Sequence, residues 1–159
     1  MIAPNFTEEF LHSFRRLTWW ELLIGLREGW LDAGTVSMLA AERLAEGEED
    51  PVVVEVAGLT GQELSQAQAL LETLARRETS SEEAGRLTWM RLLLIWLYRN
   101  REGHSDPLAI VEQIYADFGY PDEIRHLVRY NEPAAGTTGS TESIHDGWKV
   151  YVEGLSSHL

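Results

Sequence analysis

Residues 80–101 read SSEEAGRLTWMRLLLIWLYRNR, and this stretch decides the fold class. Ser80 and Glu83 have the spacing of a capping box, in which two side chains satisfy backbone donors at a helix start. The spacing predicts a helix from there through about Arg101. Leu87, Trp89, Met90, Leu92, Leu93, Leu94, Ile95, Trp96 and Leu97 make it apolar nearly all round. Such a helix needs cover on every side, so it is the expected centre of a helical fold.

Its neighbours carry helix signals too. Thr7, with Glu8 and Glu9 behind it, predicts a helix over residues 7–15 with Phe10, Leu11 and Phe14 inward. Thr18 and Glu21 form a second box, ahead of the stripe Trp19, Leu22, Leu23, Leu26 and Trp30, with Gly29 as the stop. Asp32 or Thr35 opens a third helix through Val36, Leu39, Ala40 and Leu44 to Gly47. Asp50-Pro51 is an N-cap followed by an N1 proline. The β-branched run Val52, Val53, Val54 and Val56 argues for a strand, the start signal for a short helix; the helix is preferred. Thr60 with Glu63 predicts a helix bearing Leu64, Ala67, Leu70, Leu71 and Leu74.

Asp106-Pro107 repeats the cap device before Leu108, Val111, Ile114, Tyr115 and Phe118, with Gly119 as the stop. Pro121 restarts a short helix with Ile124, Leu127 and Val128 inward. Residues 131–140 are rich in Gly, Thr and Pro and read as a flexible loop. A last helix begins near Thr141, with Ile144, Trp148, Tyr151 and Leu155 on its buried face. The expectation is an all-α fold of about seven to nine helices in one compact domain over residues 1–159. Arg-Leu-Thr-Trp occurs at 16–19 and again at 86–89, which also admits two related helical hairpins packed as in an α-repeat.

The chain has 159 residues, 44% of them apolar and 25% charged, which suits a sizeable core. The absence of cysteine excludes a disulfide scaffold, a thiol nucleophile and a thiolate zinc site. The formal charge is −13, spread evenly: 14 acids and 6 bases in residues 1–80, 12 and 7 in residues 81–159. Nucleic-acid binding needs the opposite sign. No apolar run reaches the roughly 18 residues of a membrane span, and no signal peptide is visible, so a cytoplasmic protein is expected.

Catalytic signatures are missing. There is no His-Glu-x-x-His, no Gly-x-x-x-x-Gly-Lys and no Gly-x-Gly-x-x-Gly, which argues against an enzyme and against a cofactor. Glu-x-x-His does occur three times, at Glu9/His12, Glu123/His126 and Glu142/His145. That spacing puts both side chains on one helix face, as di-iron carboxylate sites require. A small helical metal protein or enzyme is therefore the alternative function, and a non-inhibitory α-repeat adaptor a further one.

The block at 114–121, Ile-Tyr-Ala-Asp-Phe-Gly-Tyr-Pro, is similar to one from a family of uncharacterised, acidic, all-helical bacterial proteins of about this length. The helix at 17–26 and the Trp-Leu-Tyr run at 96–98 also resemble that family. It supplies no catalytic residues. Small acidic helical families of this kind are often immunity proteins, so the resemblance implies an inhibitor that occludes the active site of a basic toxin. Tyrosines among acids suit an interface, since they bury area and offer a hydroxyl. Glu112, Tyr115, Asp117, Tyr120, Asp122 and Glu123 are accordingly the candidate partner-binding residues, with no metal or cofactor ligand among them. The competing reading is a plain helix corner, with Asp117 capping it or pairing with Arg129.

Overall fold

A computed structural model describes Pro4, residues 6–129, residues 141–157 and Leu159. The loop expected at 131–140 lies outside the described residues. Among them there are eight α-helices and three 3-10 segments, with no strand. The helices are α1 (Glu8–His12), α2 (Trp19–Arg27), α3 (Ala33–Ala45), α4 (Pro51–Ala57), α5 (Ala67–Arg76), α6 (Glu82–Arg99), α7 (Pro107–Asp117) and α8 (Thr141–Ser156). They fall into two compact units, one up to Trp89 and one from Met90 onward, with the boundary inside α6.

In the first unit α3 packs on α4, and α2 on α5. The capping box of α2 is complete: the Glu21 amide donates to the Thr18 hydroxyl at 3.1 Å, and the Thr18 amide to the Glu21 carboxylate at 3.0 Å. Glu78 adds a cap from a distance, accepting the amides of Trp19 and Trp20 at 2.9 and 2.8 Å. The valine run is helical. Asp50 accepts the Val52 amide at 2.9 Å, and Val53 and Val56, three apart, are fully buried. The cap and the i, i+3 spacing outweigh β-branching because they place the buried valines on one helical face.

Three helix starts and ends differ from expectation. α1 ends at His12, where the Ser13 amide and hydroxyl both donate to the Phe10 carbonyl, at 3.2 and 2.6 Å. α6 is capped by Ser81, whose hydroxyl accepts the Ala84 amide at 3.1 Å, and not by Ser80. At Thr60 no capping box forms. Gly61 sits at φ +55°, outside the helical region that N1 requires. The Thr60 hydroxyl bonds the Glu63 carboxylate instead, residues Gly61–Gln66 form a 3-10 segment, and the α-helix begins only at Ala67.

The Arg-Leu-Thr-Trp words occupy different local structures. Thr18 caps a helix, whereas Thr88 lies inside one and donates to the Ala84 carbonyl at 3.2 Å. Trp19 and Trp89 are both buried. The two words also meet at one place: Trp89 donates its indole N–H to the Glu21 carbonyl at 2.6 Å. Close approach here depends on Gly25 and Gly85, where an added Cβ would meet Trp89 at 2.6 Å and Ile24 at 2.8 Å respectively.

In the second unit, Trp148 of α8 is fully buried, donates to the Leu94 carbonyl at 3.3 Å and stands edge-on to Tyr98. Val152 joins Ile144 and Trp148 on the buried face of α8, while Tyr151 and Leu155 are half-buried. Among the described residues no helix is long and apolar enough to cross a membrane.

Candidate functional site

The candidate partner-binding residues lie on α7 and the corner that follows it. Asp106 caps α7, accepting the Ala109 amide at 3.3 Å, and Pro107 fixes the first turn. Leu108, Val111 and Ile114 anchor the helix. The chain then reverses through two consecutive left-handed residues, Gly119 at φ +79° and Tyr120 at φ +59°. Glycine takes that conformation freely, but a residue with a Cβ loses about 1–2 kcal/mol in it. The Tyr120 amide donates to the Tyr115 carbonyl at 2.8 Å, which closes the helix end. The two tyrosine rings meet edge to face, with centroids 5.3 Å apart. Tyr120 remains 65% exposed. Pro121 resumes an extended backbone, and the 3-10 segment Asp122–Leu127 buries Ile124 and Leu127.

The six candidates separate into two groups. Glu112 and Glu123 are held from within. Arg129 donates to both Glu112 oxygens, at 2.6 and 3.1 Å, and reaches Asp106 at 3.2 Å. The hydrogen bond to Glu112, with Asp106 assisting, raises the Arg129 guanidinium above its ordinary range. Arg91 forks onto Glu123 at 2.9 and 2.7 Å, and the Tyr151 hydroxyl donates to it at 2.5 Å. The Arg91 hydrogen bonds hold the Glu123 carboxyl below the usual carboxylate range, while burial and then Glu123 itself push the Tyr151 hydroxyl up. Arg129 pairs with Glu112 and Asp106, so the anticipated Asp117–Arg129 pair does not form.

The other four candidates present themselves outward. Asp117, Tyr120 and Asp122 are exposed and Tyr115 is half-buried. The two aspartates make no ion pair among the described residues. Acids flanking two tyrosines in edge-to-face contact, on a corner braced by two internal forks, form an anionic and aromatic surface. Such a surface offers apolar area, hydroxyls and negative charge side by side.

Among the described residues the three Glu-x-x-His pairs do not come together in one cluster. Glu123 is committed to Arg91 and Tyr151, while His126 and His145 stand beside the rings of Tyr151 and Trp148. The cluster that does form, Glu8, His12 and Glu42, uses an i, i+4 pair from α1 and a residue of α3. Its ligand atoms lie within 4.8 Å of one another. His12 is hydrogen-bonded to Glu42 at 3.0 Å, and that bond raises its pKa. The contact favours a proton where a cation would need the lone pair.

Sequence reasoning missed Arg91, placed Tyr151 only as a buried-face residue and gave Arg129 another partner; all three brace the corner. Over residues 7–154 the chain matches the family described as "Uncharacterized protein conserved in bacteria (DUF2247)". No curated protein and no solved structure matches it.

Proposed function

The chain belongs to that bacterial family, and on this premise we propose that it is a protein-binding module, an immunity-type inhibitor that neutralises a basic toxin by covering its active site. The observation that carries the reading is Tyr120. An aromatic residue stands two-thirds exposed at a left-handed φ, where glycine or asparagine would fit without strain. Strain held at an exposed aromatic is best accounted for by recognition, because folding gains little from it. The flanking Asp117 and Asp122 and the net charge of −13 supply attraction toward a cationic partner. The forks Arg91–Glu123 and Arg129–Glu112 support the reading by limiting the ordering cost of binding.

The test is capture from the source organism's lysate, followed by a growth assay of the captured protein. The expected result is one basic protein, held at low salt and weakened at about 0.5 M salt, where charges are screened beyond about 4 Å. Expressed alone it should arrest growth, and co-expression of this chain should restore it. Equal capture by wild type and by the triple variant Asp117→Asn, Tyr120→Asn, Asp122→Asn would remove the corner from the interface. A captured protein without toxicity would remove the inhibitory role.

A further inference from the structure

In the unit that ends at Trp89, a cavity of ≈ 230 Å³ opens between residues 11–17, Leu22 of α2 and α3. Its floor is apolar: Leu11, Phe14, Leu17, Leu22 and Leu39. Its charged rim is mostly matched. Arg15 pairs with Glu21 at 2.8 Å, Arg16 with Glu46 at 2.7 Å and His12 with Glu42 at 2.9 Å.

Arg43 is different. It is 8% exposed, yet among the described residues it has no ion pair with any carboxylate. One nitrogen, Nη2, donates to the Leu17 carbonyl, and the guanidinium lies 4.0 Å from the centre of the Trp19 ring. Among the described residues its remaining N–H groups have no protein acceptor. They are not sealed in either, since among the described residues no enclosed side-chain nitrogen or oxygen lacks a partner. They therefore keep some exposure, and Arg43 is one of the residues that line the cavity. Burial, with Arg16 adding like charge, pushes this guanidinium below its ordinary range. A desolvated cation with idle donors above an apolar floor is half of a binding site.

We propose that this cavity binds a small monocarboxylate with an apolar body, its carboxylate on Arg43 and its body against Leu11, Phe14 and Leu39. The planar fork of arginine matches a carboxylate. One positive charge without an ion pair, with Glu42 and Glu46 also lining the cavity and Glu46, Glu48 and Glu78 acting on Arg43 through space, suits a single negative charge and repels a dianion. Size sets a further limit. A cavity of about 150 Å³ accommodates benzene, so this one takes a body and head of about ten non-hydrogen atoms. The site belongs to the first unit, and its test needs no protein partner.

Phenylacetate is the probe, titrated into the 15N-labelled protein and followed by amide shifts. Phenylacetamide is the neutral counterpart and inorganic phosphate the anion without a body. The expected result is saturable shifts grouped at residues 11–17 and 39–46, with phenylacetate at least tenfold tighter than either control. Arg43→Gln should bring acid and amide to equal affinity. Leu39→Trp, at the half-buried edge of the cavity, should fill it and abolish binding while preserving a dispersed spectrum. Absence of saturable shifts, equal affinity for acid and amide in the wild type, or binding that survives Leu39→Trp overturns the proposal. If Arg43→Gln fails to fold, the wild-type comparison and Leu39→Trp still decide.

Discussion

Alanine at Gly25 should destabilise the protein, although glycine is the poorer helix former. An ideal Cβ there lies 2.6 Å from Trp89 Cζ2 and 2.8 Å from Leu31 Cδ1. Carbon atoms sit best at about 3.5–4.0 Å, so either the ring or α2 must move by about 1 Å. The ring has little freedom. Trp89 is fully buried, its indole N–H is bonded to Glu21, and the rings of Phe6 and Trp30 stand 5.3 and 5.2 Å away. Overpacking of this kind costs about 1–3 kcal/mol. The gain in helix propensity offsets about 1 kcal/mol. The balance is a net loss of up to ~2 kcal/mol, which for a chain of this size lowers Tm by up to about 8 °C. Urea unfolding followed by tryptophan fluorescence measures it. The same change at Gly154, inside α8 with nothing within 4 Å, should stabilise by about 0.5–1 kcal/mol. A Gly25→Ala protein more stable than the wild type would refute the packing argument.

Tyr120→Asn tests strain against recognition: asparagine tolerates the left-handed φ, so stability should change by less than ~1 kcal/mol while capture of the partner is lost. A Tm drop of more than about 5 °C would instead mark Tyr120 as a structural residue. For Glu123, Arg91→Met and Tyr151→Phe should be non-additive by about 1 kcal/mol in a double-mutant cycle, because both act on one carboxylate. Additivity would separate them. The folded pKa of Glu123 is depressed, so its stabilising contribution is present above the unfolded value of about 4.3 and lost as pH falls through the folded value. Acid titration of stability should therefore be shallower in Glu123→Gln. His12 runs the other way. Its pKa is raised by Glu42, with Glu8 adding to it, so its contribution holds below about 6.5 and disappears as pH rises through the folded value. The His12 ring proton should titrate above 6.5 by NMR and shift down in Glu42→Gln; an unchanged midpoint would discard the pair.

The helices were legible where cap and stripe agreed within a few residues. Thr18 with Glu21, Asp50 with Pro51 and Asp106 with Pro107 all open helices as read. The errors came from information of the same short range that a motif omits. Thr60–Glu63 has the right spacing, but Gly61 between them adopts φ +55° and the helix waits until Ala67. Ser80 and Ser81 are adjacent hydroxyls; Ser80 has Glu83 at the capping-box offset and Ser81 has Ala84, yet Ser81 is the one used. The Glu78 cap on α2, contributed from 58–59 residues away, has no local signature at all.

The site divides along the same line. The corner itself was readable, because Gly119-Tyr120-Pro121 is a local reversal and its aromatic and acidic residues lie within twelve positions of one another. The fate of each acid was not. Glu112 and Glu123 look on paper like Asp117 and Asp122, four acids in twelve residues on one corner. Arginines 17 and 32 residues away claim the first two and leave the others outward. The acids that brace the corner and those that can meet a partner are thus separated by where Arg91 and Arg129 reach. The same logic inverts at Arg43. A basic residue in a chain with twice as many acids as bases would be expected to find a carboxylate, and the fold gives it a carbonyl and a ring. In a protein of this composition an outward acid is ordinary, and the informative residue is the buried base that forms no ion pair among the described residues.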